Sequence, residues 1–223
     1  MERELHEEKE IATSMSKRTR LTLEVTGAAL FGAMSLVLSA FLTPIIPRIP
    51  GWGIAIIDPV SILWIMCFLI FGPKSGLLCC LIGTLALFPF DPSVPAIGPL
   101  MKLFATLSLI IVPIILLRLH KTEPGRRNSQ KYKKLTTYIL TGLLGIVLRI
   151  IVMMILNVWL FLTLFSDYLA FTTLEFIGLP SISAWNAVVI GVIIINVEIS
   201  LWDLILPYLV VFGLKLDQKY EIW

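Results

Sequence analysis

Apolar positions in this chain fall in long unbroken runs, not in the alternating or one-faced patterns that soluble strands and helices show. Six runs are read, at roughly 24–46, 54–71, 75–90, 98–118, 136–165 and 182–213. Most approach or exceed the ~20 residues that carry a helix across a bilayer. The predicted fold class is therefore an all-α membrane protein with six transmembrane helices. A charged lead over 1–20 precedes the membrane domain at 21–215, and a short tail over 216–223 follows it.

Two of the runs are short or interrupted. Asp58-Pro59 falls inside the second and leaves Val60 to Phe71 as its unbroken helical part, about half of a ~30 Å hydrocarbon core at ~1.5 Å per residue. Asp58 is suited to the N-cap and Pro59 to the first helical position. The third run, Ser75 to Phe90, is also short. Broken backbone at membrane depth is tolerated where it lines a cavity or is buried in protein, and such segments point to transport sites.

Charge orients the runs. The lead, the 118–136 loop (Arg118, Lys121, Arg126, Arg127, Lys131, Lys133, Lys134) and the tail (Lys215, Lys219) are basic. The opposite loops hold one basic residue, Arg48, against Asp58, Asp91, Asp167 and Glu175. By the positive-inside rule both termini are cytoplasmic, which requires an even number of spans. The 118–136 loop reads as a cytosolic linker between two three-helix halves. The outer loops are instead apolar and proline-rich, as in PIIPRIPGWGIAIIDP, the composition of segments that fold back over helices and cover something.

Composition excludes more than it identifies. Of 223 residues, 57% are hydrophobic and 15% charged, and the mean hydropathy of +0.92 leaves too little polar surface for a soluble enzyme. Basic residues border apolar runs, so the basic balance implies a membrane surface and not nucleic acid. Cys67, Cys79 and Cys80 lie within apolar runs without metal-ligand spacing and read as packing residues. There is no nucleophile–base motif, no metal-binding motif and no phosphate-binding loop. No cofactor or metal is expected, and any ATP-driven work would come from a partner.

Polar groups inside the runs are few, so each is a candidate. Arg149 lies ~20 Å along its helix from Thr136, while Glu198 and Asp203 lie ~22 and ~15 Å from Gly213. Arg149 thus falls between the two acids in depth. Because a lone charge is costly in hydrocarbon, pairing of Arg149 with Glu198 or with Asp203 is expected, as a structural clamp and not a proton relay. Toward the outer side, Lys102, Asn157 and Asn196 could combine with Trp64, Trp159 and Trp185 into a mixed aromatic and hydrogen-bonding lining for a flat, partly apolar small molecule.

These residues carry a family resemblance. TGAALFGAMSLVL in the first run, with Ala29 and Ala33 four apart, the run DPVSILWIMCFLIFGPKSGLLCCLIG with its Gly72-Pro73…Gly76 turn, and GPLMKLFATLSLIIVPIILLRLHKT resemble the substrate-binding S components of energy-coupling factor (ECF) transporters. The layout is similar over nearly all of 20–215, closest to riboflavin-type members. The resemblance implies a vitamin bound from outside beneath the first loop, with Trp52, Asp58, Trp64, Lys102, Asn157, Trp185 and Asn196 as substrate-binding candidates. It implies docking of the Ala29–Ala33 face on a transmembrane T component that works with two ATPase subunits in the plasma membrane. Two positions depart from the riboflavin pattern. Lys102 stands where Asn is usual, and Ile199, beside Glu198, stands where Lys is usual. Lys102 either replaces the missing ring contact or marks an anionic ligand. Two other readings compete: a proton-coupled secondary transporter using Glu198, and a lipid-acting membrane enzyme or assembly factor built on Arg149 and Asp203.

Overall fold

Backbone N–H and C=O groups in an apolar environment must be satisfied within the chain, so the apolar runs become helices. The computed structural model describes residues 17–42, 44–50, 52–90, 97–119 and 128–220. Residues 120–127 of the 118–136 loop, Asp91 in the outer loop, the first sixteen residues of the lead and the end of the tail lie outside the described residues. The helices are α1 (Lys17–Phe41), α2 (Pro59–Phe71), α3 (Pro73–Leu87), α4 (Ile97–Leu119), α5 (Asn128–Lys133), α6 (Leu135–Thr163), α7 (Ala184–Gly213) and α8 (Leu216–Tyr220).

Four of them, α1, α4, α6 and α7, are long and apolar enough to cross a membrane. The second and third runs form shorter apolar helices, α2 of 13 residues and α3 of 15. Their proline starts are local: Asp58 and Pro59 open α2, and Gly72 at φ 95° reverses the chain directly into Pro73 of α3. A positive φ of that size is where glycine is favoured. Residues 54–58, read as the start of the second run, belong to the loop between α1 and α2. Asp58-Pro59 supplies the physical reason, since the residue before proline is driven out of the helical region.

α2 is the central helix. It packs against α1, α3, α4, α7 and the short α8, and nearly every residue from Pro59 to Phe71 is buried. A helix apolar on all sides has no face to offer water and is buried whole. Around it α1 lies on α3, α3 on α4, α4 on α6, and α6 on α7, which returns to α2. Close approach between α2 and α3 depends on small residues: a Cβ at Gly83 would run into the Trp64 indole, and one at Gly76 into Phe68.

The outer segment before α7 is more structured than its composition suggests. After a 3₁₀ turn at Ser166–Phe171, β1 (Thr173–Leu174) pairs antiparallel with β2 (Leu179–Ser183). Gly178, at φ 77°, makes the left-handed turn between them. The strands are too short for their alternation to stand out in sequence.

Two tyrosine hydroxyls tie the proline-containing helices α4 and α7 to their neighbours. The Tyr132 hydroxyl of α5 donates to the carbonyl of Pro113 in α4 (2.7 Å), and that of Tyr138 in α6 donates to the Leu204 carbonyl, one turn before Pro207 in α7 (2.8 Å). Burial pushes the Tyr132 phenol up from its usual range, which keeps it a donor. Beside Pro113 and Tyr138 lies a cavity of about 20 Å³ lined by Phe68, Leu109, Pro113, Tyr138 and Leu204 among others, room for roughly one water molecule.

Candidate functional site

The first turn of α2 anchors a buried polar network. Asp58 caps the helix by accepting from the Val60 amide at 3.1 Å, and the same Oδ1 accepts from Lys102 Nζ of α4 at 2.6 Å. One turn on, Ser61 Oγ donates to Asp203 Oδ1 of α7 at 2.6 Å. The other Asp203 oxygen accepts from Arg149 NH1 of α6 at 2.6 Å. Arg149 Nε also donates to Asn196 Oδ1 at 3.1 Å, and the Asn196 amide is held by the Val192 carbonyl at 2.8 Å. Four helices therefore meet through two ion pairs bridged by Ser61, and the four formal charges sum to zero.

The two pairs differ in access. The side chains of Arg149 and Asp203 are 5% and 0% exposed, while those of Lys102 and Asp58 are 23% and 15% exposed. A buried pair survives only when its remaining hydrogen-bonding capacity is filled, and Ser61 and Asn196 do this for the inner pair. The inner pair is thus a sealed fastening between α6 and α7. The outer pair is reachable.

The position of Ser61 explains the loop before it. Asp203 lies ~29 Å down α7 from Ala184 at ~1.5 Å per residue, yet it meets the first turn of α2. The 44–58 loop therefore descends into the bundle alongside α7. Ile49 packs with Ile195 and Ile199. Trp52 lies across Gly191, where any Cβ would collide with its indole, and Nε1 donates to the Thr173 carbonyl of β1 at 3.0 Å. Its ring meets Phe176 edge-on at 6.2 Å. Trp52 also packs, as does Met101, against a cluster of Ala105 of α4, Met153 of α6, and Val188 and Val192 of α7. Trp52 thus seats the loop on an apolar cluster built from α4, α6 and α7, and Asn196 of the polar network lies one turn beyond Val192 of that cluster on α7.

The remaining sequence candidates are distributed. Asn157 donates to the Met153 carbonyl of its own helix at 2.8 Å. Trp185 is 36% exposed and meets Phe161 edge-on, at the rim. Trp64 is fully buried against Gly83 of α3, and its indole N–H has no partner among the described residues. It packs the α2–α3 contact, in a different apolar cluster from the one Trp52 covers; Trp159, at 54% exposure, faces outward. Glu198 does not pair with Arg149. It lies on the opposite side of α7 from Asp203, accepts from Trp202 Nε1 at 2.8 Å, and its Oε2 has no partner among the described residues. A five-residue offset turns a helix by about 140°, which separates the two acids. Ala29 and Ala33 are exposed on α1, while Ala28, Gly32 and Ser35 face inward.

Ser61, Ile49 and Gly191 were not identified as candidates from sequence. Ser61 had one signal, its place a single turn after a helix-capping Asp58. Nothing local marks Gly191, whose importance comes from a tryptophan far away in the chain.

A family model described as ECF transporter, substrate-specific component, matches residues 23–214. The chain belongs to that family. It is accordingly an integral membrane component of a transporter and not an enzyme; such components bind small-molecule substrates and work with a T component and ATPases. Comparison with curated proteins and with solved structures returns no match.

Proposed function

We propose that this chain is the vitamin-binding S component of an ECF-type uptake transporter, with riboflavin the leading ligand. In this reading six helices cross the plasma membrane, both termini are cytoplasmic, and the 44–58 loop and the β1–β2 hairpin face outward. The observation that carries the reading is the apolar cluster of α4, α6 and α7 covered by Trp52, on helices that also carry the hydrogen-bonded Lys102 and Asn196. Apolar walls with a few convergent polar groups are what a flat vitamin requires. In this reading ligand entry displaces Trp52 from the cluster it packs against, and the neighbouring Gly53, at φ 64°, is the turn residue beside it.

Delivery inward follows from partners. The exposed Ala29 and Ala33 allow close approach of another helix and suit docking of a T component, with two ATPase subunits driving the cycle. The sealing of Arg149 and Asp203 argues against a lipid-acting enzyme, because a reactive group must be reached by its substrate. Calorimetric titration of the detergent-purified protein with riboflavin tests the assignment. Saturable, tight binding is expected. Absence of heat with riboflavin, while another vitamin binds, would move the ligand identity; absence with every vitamin would overturn the reading.

A further inference from the structure

We infer that Asp58 is a charge-specificity residue: by occupying Lys102 it makes the site electrically neutral and restricts it to ligands without net charge. The inference rests on the reading that the space beneath Trp52 is the ligand site. Lys102 standing alone would attract an anion, which was one of the two meanings open to it in the sequence. The structure instead places Asp58 Oδ1 2.6 Å from Lys102 Nζ. The other buried cation, Arg149, is closed by Asp203 at 2.6 Å.

The remaining charged groups near this end of the bundle do not alter the balance. Arg48 is exposed and donates to the Gly53 carbonyl at 2.7 Å, and Asp167 and Glu175 are exposed on the outer segment. Glu198 lies on the outward side of α7 with Trp202. The polar network itself thus encloses two cations and two anions, each paired with one of the other sign. An anionic ligand would have to expel Asp58 from Lys102 and leave that carboxylate uncompensated in a poorly solvated place, which is the costly outcome for a buried charge. A neutral ligand can accept or donate around the pair without breaking it. Asp58 is also the N-cap of α2, so its carboxylate is held in place by the helix as well as by the lysine.

Vitamin pairs that share a ring or chain but differ by one charge provide the test. Riboflavin and its 5′-phosphate, nicotinamide and nicotinate, and pantothenol and pantothenate are titrated against the wild type, Asp58→Asn and Lys102→Gln. Asn keeps the cap while releasing the lysine charge, whereas Lys102→Gln releases the aspartate. For whichever pair binds, the neutral member is expected to bind at least about tenfold better to the wild type. Asp58→Asn should shift that ratio toward the anion by about tenfold or more, and Lys102→Gln should shift it the other way; either variant alone suffices if the other does not fold. Steric rejection of a larger anion would not respond to either change. Binding of nicotinamide or pantothenol with this pattern, without flavin binding, sinks the riboflavin assignment and leaves the charge inference standing. Anions that bind the wild type as well as their neutral counterparts, or ratios unmoved by both variants, overturn the inference. Binding of no pair member overturns it together with the site reading.

Discussion

Removing one partner of the Arg149–Asp203 pair should be far more damaging than removing both. The pair is 2.6 Å long, its side chains are 5% and 0% exposed, and it joins α6 to α7. At an effective dielectric of ~20, opposite unit charges ~4 Å apart attract by about 4 kcal/mol, and stranding one of them in a buried place costs about 3–5 kcal/mol. Arg149→Met and Asp203→Leu should therefore each lower stability by about that amount. The double variant leaves two smaller debts. Ser61 can turn its hydroxyl to the Asp58 carbonyl, which already lies 3.1 Å away. Asn196 keeps its bond to Val192 and loses one acceptor contact, about 1–3 kcal/mol if left unsatisfied. The expected coupling is thus on the order of 3 kcal/mol or more in a double-mutant cycle. Unfolding in detergent, followed by helical circular dichroism or graded denaturant, supplies the four stabilities. Additive losses within about 0.5 kcal/mol would refute the claim that the two residues act as one fastening.

Three further outcomes follow from other contacts. Gly83→Val should destabilise the protein by about 1–3 kcal/mol or more, read by the same unfolding assay, because the new side chain enters the Trp64 indole. Tyr138→Phe should cost about 1 kcal/mol through loss of its 2.8 Å bond to the Leu204 carbonyl, with the circular dichroism spectrum unchanged. Glu198→Gln should leave uptake by the assembled transporter intact in membrane vesicles, since that carboxylate contacts Trp202 and not the network. Loss of uptake, together with sensitivity to a collapsed proton gradient, would favour a proton-coupled carrier.

Much of the scaffold was legible because its determinants are local. Long apolar runs gave the helices, Asp58-Pro59 marked where α2 starts, and the Gly72-Pro73 pair marked the turn into α3. Depth counting brought Arg149 level with Asp203 and Glu198, but depth alone does not say which way a side chain points. The helical phase that separates Glu198 from Asp203 is settled by packing of α7 on α2 and α6. The apolar first loop announced that it covers something, yet its descent to Asp203 follows from the depth at which α2 begins. Pairing of Lys102 with Asp58 was equally hidden. Those residues are 44 positions apart, and although both stand among the substrate-binding candidates, nothing in the sequence pairs one with the other.

The most direct test of the central claim is mass spectrometry of small molecules released by denaturing the detergent-purified protein, with wild type and Trp52→Ala compared in parallel. The account predicts a stoichiometric vitamin-class molecule from the wild type and its loss, or marked depletion, when the tryptophan that closes the space is removed. A wild-type protein that releases nothing and takes up no added vitamin, or a bound molecule retained undiminished by Trp52→Ala, would contradict a ligand site beneath Trp52.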